Sequence, residues 1–553
     1  MDELALNRWY TAEALIGFIQ ENEDAQKKNR RFCYKQLMGF LLTKGKDLCS
    51  LFGIRRTGKT VLMLQAIKDL MEVYHISENK IAYITMGEKN GWDDTKLVNE
   101  VDKLTDQGVR YVFVDEITYL NMDLEDNNLN LLADRVAKSG VKIVIAGTFS
   151  YAISLLSKDV LFDRIQRIDT TYFSYKEAHD IFGQDLDAFI KYGGVINFDE
   201  DGKQMTPSDY METAIVNNIV QSIFKSEKKY ELLQTIPESM QKGKSDRELK
   251  AAVARLIRIT IDNYMKALVV GKLANKEVYR FSDIGKLASV IRQRSEQEHL
   301  FDEELDVINI DAKAYYRLLS EYLGESKDVP EDTFRAVIKI LEDIKIKQDI
   351  TFDDGNVSVF IPNYLRYGLC DEIIRVIGDR IREETGMRYR AELAGEVLMG
   401  TIQEAICYLD LKMENRRDFD MYRTADGSCE VDLIVRNRKA GWMDLYEIKH
   451  SSLIVGEQVK HLVNREFVRE IEREFDCKAR DYYVLYNGNE TEVEYIPEKI
   501  FQELEQKSLE MGRQENARKW ERLRESAEIQ GWMPVKVQYK SMAKFLCDLE
   551  LVW

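Results

Sequence analysis

Proline is scarce in this chain, at 6 of 553 residues, and histidine scarcer still at 5. No proline-rich or glycine–serine stretch marks a flexible linker, so domain limits must be read from changes in hydrophobic period. The 7 cysteines (Cys33, Cys49, Cys370, Cys407, Cys429, Cys477 and Cys547) are odd in number, scattered and without a CxxC pair. That pattern argues against a disulfide framework or a structural zinc site, and a reducing cytoplasm is the expected setting. HExxH is absent too, which removes the zinc hydrolases built on it. No apolar run approaches the ~20 residues of a membrane span, so no membrane partner is expected. Residues 1–17 carry Asp2 and Glu3 where a secretory leader has basic residues, and no signal peptide is expected. Positive charge is in deficit as well. The 79 Lys and Arg stand against 96 Asp and Glu, a formal −17. Such a balance argues against a surface that coats nucleic acid throughout, while leaving room for a local basic face.

What is present supports several cores: 45% of residues are hydrophobic and 10% aromatic. The length predicts three or four domains. Residues 1–46 read as an N-terminal helical extension, with apolar Ala12, Leu15, Ile16 and Ile19 at helical spacing and a solvated charged stretch at 21–31. Through 47–200, β-like runs at 48–53, 80–86, 110–114 and 142–147 alternate with helical stretches, which is the pattern of an α/β, mostly parallel, doubly wound sheet. Residues 201–365 are helical, and within them 236–294 hold 13 Lys and Arg against 6 Asp and Glu. An amphipathic helix at 332–346 precedes two extended pieces, 349–352 and 357–361. Periodicity leaves a winged helix and a helical lid with an incidental hairpin equally open. Residues 366–500 have the order αβββαβ, and 501–553 read as a charged helical tail.

Gly53-Ile-Arg-Arg-Thr-Gly58-Lys59-Thr60 fits GxxxxGK[ST], between a strand and a helix. Gly53, Arg55, Arg56, Thr57 and Gly58 form a loop whose N–H groups can turn toward phosphate. Lys59 then reaches the β- and γ-phosphates of ATP, and the Thr60 hydroxyl ligates Mg²⁺. Arg110-Tyr-Val-Phe-Val-Asp115-Glu116 has the form of a buried strand ending in two acids. Asp115 is the expected Mg²⁺ partner through water, and Glu116 the expected base. Thr148 and Ser150 follow another strand end, as phosphate-sensing groups or as turn caps. Arg164 and Arg167 stand where an oligomeric ATPase offers an arginine across a subunit boundary, or form an ordinary surface pair.

These motifs, with Ile145-Ala-Gly-Thr-Phe-Ser150, Tyr172-Phe-Ser-Tyr-Lys-Glu177 and Lys191-Tyr-Gly-Gly194, resemble a prokaryotic AAA+-type P-loop ATPase family. The resemblance runs from about residue 30 to 490. It implies an ATPase joined to a winged-helix region and a C-terminal nuclease-like domain, and a homo-oligomer. Asp163 replaces the glycine that the family places before its arginine.

In the last third, Asp432 lies one strand before Glu447-Ile-Lys449. This D…ExK arrangement resembles the PD-(D/E)XK nuclease superfamily. Asp432 and Glu447 would hold Mg²⁺, with Lys449 positioning water or offsetting charge. The upstream acid of the pattern is missing: Met399 stands in its place, leaving Glu396 or Glu404 as substitutes. Loss of a ligand would weaken Mg²⁺ more than Mn²⁺. Gln458 is an extra polar candidate. The expected activity is Mg²⁺-dependent ATP hydrolysis coupled to nucleic-acid binding, DNA before RNA, with conditional cleavage. The alternative is an ATP-driven switch or assembly protein whose C-terminal module is catalytically inactive.

Overall fold

The computed structural model describes residues 12–86, 94–117, 140–147, 165–170, 172–198, 203–225, 235, 245–274, 281–296, 312–324, 329–344, 346, 348–351, 357–385, 388–412, 419–425, 430–510, 514–526 and 534–549. Among them no helix is long and apolar enough to cross a membrane.

The first sheet contains β1 (Leu48–Phe52), β2 (Ile81–Thr85), β3 (Tyr111–Asp115), β4 (Lys142–Ala146) and β5 (Ile165–Asp169), in the order β2-β3-β4-β1-β5. Every pairing is parallel. Alternation along β1 sends Leu48 and Phe52 into the core on one face, and Cys49 and Leu51 into the core on the other. Both faces are therefore covered, and the strands read as unbroken apolar runs. Three strands fall within the expected runs, and β3 extends one residue past 110–114 to Asp115. The fifth, β5, was expected only as an arginine-bearing segment.

Packing crosses two of the expected limits. Leu15, Ile19, Leu37, Phe40 and Leu41 pack with Leu62, Met63 and Ile67 of the helix Lys59–Glu72. Residues 12–46 thus belong to the ATPase-like core, because their apolar stripe covers a sheet face that would otherwise meet water. Second, a continuous core runs from Ile54 and Tyr172 through the helices Asp246–Leu273, Ala312–Gly324 and Glu331–Asp343 to Leu546. The helix Asn363–Thr385 crosses the expected limit at 365. The hairpin after Glu331–Asp343 is present as antiparallel β6 (Gln348–Thr351) and β7 (Val357–Phe360).

The third part follows the αβββαβ order. The helix Arg388–Lys412 leads into β8 (Phe419–Ala425), β9 (Glu430–Asn437) and β10 (Trp442–Ile448), an antiparallel meander. The helix Arg465–Phe475 then crosses to β11 (Lys478–Tyr486), which is parallel to β10. Beyond it, β12 (Thr491–Tyr495) and β13 (Val535–Ser541) complete a sheet ordered β12-β13-β11-β10-β9-β8. The expected helical tail therefore contains a strand interior to the sheet. Val535, Val537 and Tyr539 alternate into its core, a period-2 signal hidden behind the charged helices Pro497–Glu510 and Gln514–Ser526.

Candidate nucleotide site and a C-terminal carboxylate cluster

The loop between β1 and the helix Lys59–Glu72 is shaped by close packing. A Cβ at Gly53 would lie 2.5 Å from Thr170 Oγ1 and 2.8 Å from its carbonyl oxygen, so only glycine fits. Gly58 adopts φ 78°, the left-handed conformation that starts the helix. Thr57 is buried and donates its hydroxyl to Ile54 O at 3.0 Å. Lys59 Nζ donates to Gly53 O at 2.9 Å and Ile54 O at 2.6 Å. Burial pulls its ammonium down to about 8, although Glu116 and Asp115 act the other way. The carbonyls of Arg55 and Arg56 accept hydrogen bonds from Tyr210 Oη at 3.2 Å and Ile196 N at 2.9 Å.

Asp115 ends β3 and is only 4% exposed. It accepts from Thr60 Oγ1 at 2.7 Å, from Tyr83 Oη at 2.9 Å and from Glu116 N at 2.8 Å. Glu116 itself has φ 54°, a conformation costly for a non-glycine residue and characteristic of functional sites. A hydroxyl and a carboxylate converging at the phosphate-loop helix suit Mg²⁺, which takes few protein ligands beside phosphate oxygens and water. Thr60 and Asp115 thus fit the ion the motif implies.

One residue was missed by sequence reasoning. Arg31 closes the solvated charged stretch, yet it is buried against Glu177 at 3.2 Å. It also donates to Thr57 O at 2.8 Å, Thr170 O at 3.2 Å and Tyr172 O at 2.5 Å. Glu177 closes a capping box with Ser174 at the start of the helix Tyr175–Phe182. Beside the phosphate loop, Arg31, Gly58, Leu62, Phe173, Phe182 and Ile196 line a mainly apolar pocket. No local period announces Arg31; its partners lie 26 to 146 residues away.

Residues 45–179 match the AAA domain family. With the parallel sheet and the phosphate-loop geometry, this match supports an AAA+-type P-loop domain that binds and hydrolyses ATP. Similar solved structures include the Aeropyrum pernix ORC2 protein, at 12% identity over 65% of this chain and 99% of that one, TM-score 0.31. Cdc6p from Pyrobaculum aerophilum is 14% identical over 65% and 99%, TM-score 0.21. The S. cerevisiae Hsp104–ADP complex is 13% identical over 69% and 48%, TM-score 0.23. Likenesses at these TM-scores carry no further argument. A search of curated proteins by sequence yields no match.

Of the remaining ATPase candidates, Thr148, Ser150 and Arg164 lie outside the described residues. Arg167 lies on β5, where its Nε donates to Asp169 at 2.7 Å and its guanidinium sits 3.5 Å from the centre of the Phe52 ring. It is a sheet residue within its own subunit, so its contacts supply no argument for a finger.

In the C-terminal sheet, the register Tyr446↔Leu433 sets Asp432 beside Glu447. An irregularity opposite β8 falls at this point of β9, as bulges commonly do where a side chain is re-aimed. Asp432 Oδ2 accepts from Lys449 Nζ at 2.8 Å and Ile448 N at 2.7 Å, while Lys449 reaches Glu447 Oε2 at 2.7 Å. Glu447 Oε1 is buried without a hydrogen-bond partner. Burial and then the Asp432 charge push the Glu447 carboxyl well above its usual range, with Lys449 opposing. Burial also opposes charge on Lys449, but the two carboxylates outweigh it and raise its pKa.

The three residues are brought together; the fourth is not. Glu396 is exposed on the helix Arg388–Lys412. From that helix the fully buried Gln403 donates to Lys449 O at 3.4 Å, and Tyr408 Oη donates to Asp432 O at 2.8 Å. Among the described residues no group of three or more His, Cys, Asp or Glu forms a metal-ligand cluster. Seven residues along a helix turn the side chain back to the same face but two turns away, so helical phase alone could not choose between 396 and 403. Gln458 braces the loop after β10, donating to Leu453 O at 3.0 Å and accepting from Tyr539 Oη at 3.2 Å.

Proposed function

We propose that this chain is a Mg²⁺-dependent ATPase whose nucleotide cycle controls a nucleic-acid-facing C-terminal domain. The observation that carries the ATPase half is the contact of Thr60 with Asp115 at the tip of β3, next to Lys59 on the loop that follows β1. Bound Mg²⁺ would be held by Thr60 and, through water, Asp115, and would offset phosphate charge. Lys59 binds the phosphates, and Glu116 orients and deprotonates the attacking water.

For the C-terminal domain, Lys449 between two adjacent carboxylates supports a phosphodiesterase reading, with DNA as the first substrate to test. Asp432 and Glu447 would hold Mg²⁺ or Mn²⁺, and the metal would polarise the scissile phosphate; Lys449 would orient water. A second reading has its own observation. Both carboxylates are already paired with Lys449, and Glu396 is not with them, which favours an inactive module that binds without cutting. Single-turnover digestion of labelled single- and double-stranded DNA decides between them, using wild type and Asp432→Ala with Mg²⁺ or Mn²⁺, with and without ATP. Cleavage is expected for wild type, better with Mn²⁺, and lost in Asp432→Ala while ATP hydrolysis persists. Equal background cutting by both proteins would overturn the nuclease reading.

A further inference from the structure

Three successive carbonyls of the phosphate loop are each held by a different distant part of the chain. Arg55 O accepts from Tyr210 Oη at 3.2 Å, Arg56 O from Ile196 N at 2.9 Å, and Thr57 O from Arg31 at 2.8 Å. In a planar trans peptide the C=O and the following N–H point in opposite directions. Holding these three oxygens therefore fixes where the N–H groups of Arg56, Thr57 and Gly58 point. Those are the donors a phosphate cradle needs. Without external partners, a loop with left-handed residues at Arg56 (φ 64°) and Gly58 (φ 78°) can turn its peptide planes over at small cost.

We infer that Arg31 and Tyr210 are positioning residues that set the phosphate loop for its anion by holding the loop's carbonyls from behind. The inference rests on the ATP-binding reading above and adds the means by which this chain keeps the cradle ready. Two features make the contacts more than packing. Arg31 spends its fork on backbone oxygens around the loop (Thr57, Thr170 and Tyr172) and is itself locked by Glu177 through both carboxylate oxygens, at 3.2 and 3.3 Å. Its positive charge on the Thr57 carbonyl also polarises that peptide, which strengthens the Gly58 N–H as a donor. Tyr210 is fully buried, with its ring set edge-on to Tyr364 at 5.9 Å, so its hydroxyl has one fixed direction. Tyr210 and Ile196 both follow the first sheet in the chain, so the region after residue 195 acts directly on the phosphate loop.

The test uses the full chain and two probes: a fluorescent ATP analogue with Mg²⁺, and inorganic pyrophosphate as its competitor. Pyrophosphate reads the cradle without the base. Tyr210→Phe removes one hydroxyl and keeps the ring, and Arg31→Lys keeps the charge and loses the fork. Weakening of roughly threefold to tenfold is expected for Tyr210→Phe and roughly tenfold or more for Arg31→Lys, for both probes. In steady-state hydrolysis KM should rise more than kcat falls, since the cradle binds substrate and transition state alike. A purely structural role would lower the melting temperature yet leave both affinities unchanged well below it. Unchanged affinities in both variants, beside a Lys59→Ala control that no longer binds, would overturn the inference and spare the ATP-binding reading. If Lys59→Ala bound as wild type does, that reading would fall as well. Should Arg31→Lys fail to fold, Tyr210→Phe decides alone, because it leaves the core volume intact.

Discussion

The phosphate loop and the C-terminal carboxylate cluster are both polar sites at the ends of β-strands, but they are assembled differently. The first is mostly backbone: eight consecutive residues supply the loop, and the side chains that matter close around it within hydrogen-bonding distance. The second consists of side chains from two strands that meet only because β9 and β10 pair in one register. A backbone site tolerates little drift, because turning one peptide plane re-aims its N–H away from the phosphate. A side-chain site can lose one member and keep its fold, and here Glu396 stands exposed while Gln403 occupies the buried position against β10.

The sharpest way to break this comparison is at the first site. Lys59→Ala should abolish nucleotide binding, whereas Glu116→Gln should bind ATP and hydrolyse it on the order of 10²-fold more slowly. Full turnover in Glu116→Gln, measured by phosphate release, would show that the base lies elsewhere. Next in size is the support beneath the loop. Arg31→Met leaves Glu177 buried without its cation, with only the Phe32 and Ser174 donors, and urea unfolding should report a loss of about 3–5 kcal/mol. A loss below about 1 kcal/mol would mean that the capping box satisfies Glu177 without the arginine.

A smaller effect probes how the two regions meet. Asp410, on the helix Arg388–Lys412, is buried and accepts from Tyr175 N at 3.2 Å, at the start of the helix Tyr175–Phe182. Burial pushes its carboxyl up to about 8, with the Tyr175 N–H opposing. The folded chain therefore keeps a proton that the unfolded chain releases at its ordinary pKa. The stability this group contributes is complete below about pH 4 and declines as pH rises toward 8, by at most roughly 1.4 kcal/mol per pH unit. Asp410→Asn retains the acceptor and removes the proton. Its stability relative to wild type should grow steadily between pH 5 and 8, and a flat difference in urea melts would refute the shift.

The weakest expected effect concerns the basic middle region. Arg255 and Arg258 are exposed on the helix Asp246–Leu273, and Arg258 also pairs loosely with Glu212 at 3.6 Å. If that face tracks DNA phosphates, reversing both charges should flatten the salt dependence of duplex binding by about 0.9 per lost contact. An identical slope for wild type and variant would return the helix to an ordinary solvated face.

Contiguous features were legible from residues alone. The phosphate loop needs glycines and a lysine at set intervals along one stretch of chain, and strands buried on two faces must be apolar without interruption. The αβββαβ order and the β6–β7 hairpin emerged from period changes for the same reason. Arg31 was not legible, because a charged residue after a charged stretch looks solvated until Thr57, Thr170, Tyr172 and Glu177 are brought to it. β13 was missed because its short alternating pattern follows two helices of mixed charge.

What the sequence by itself determined is therefore local: the phosphate-binding loop, the acid-tipped strand β3, and the D…ExK spacing that lets Asp432, Glu447 and Lys449 meet. Tertiary structure alone decided the rest. It fixed which carbonyls of the loop are held outward, that residues 12–46 cover a sheet face, that β13 pairs with β11, and that Gln403 lies against β10 while Glu396 faces solvent. The physical reason is range. Backbone conformation and side-chain period act over a few residues, whereas burying a polar group requires a partner whose place is set only once distant segments have packed.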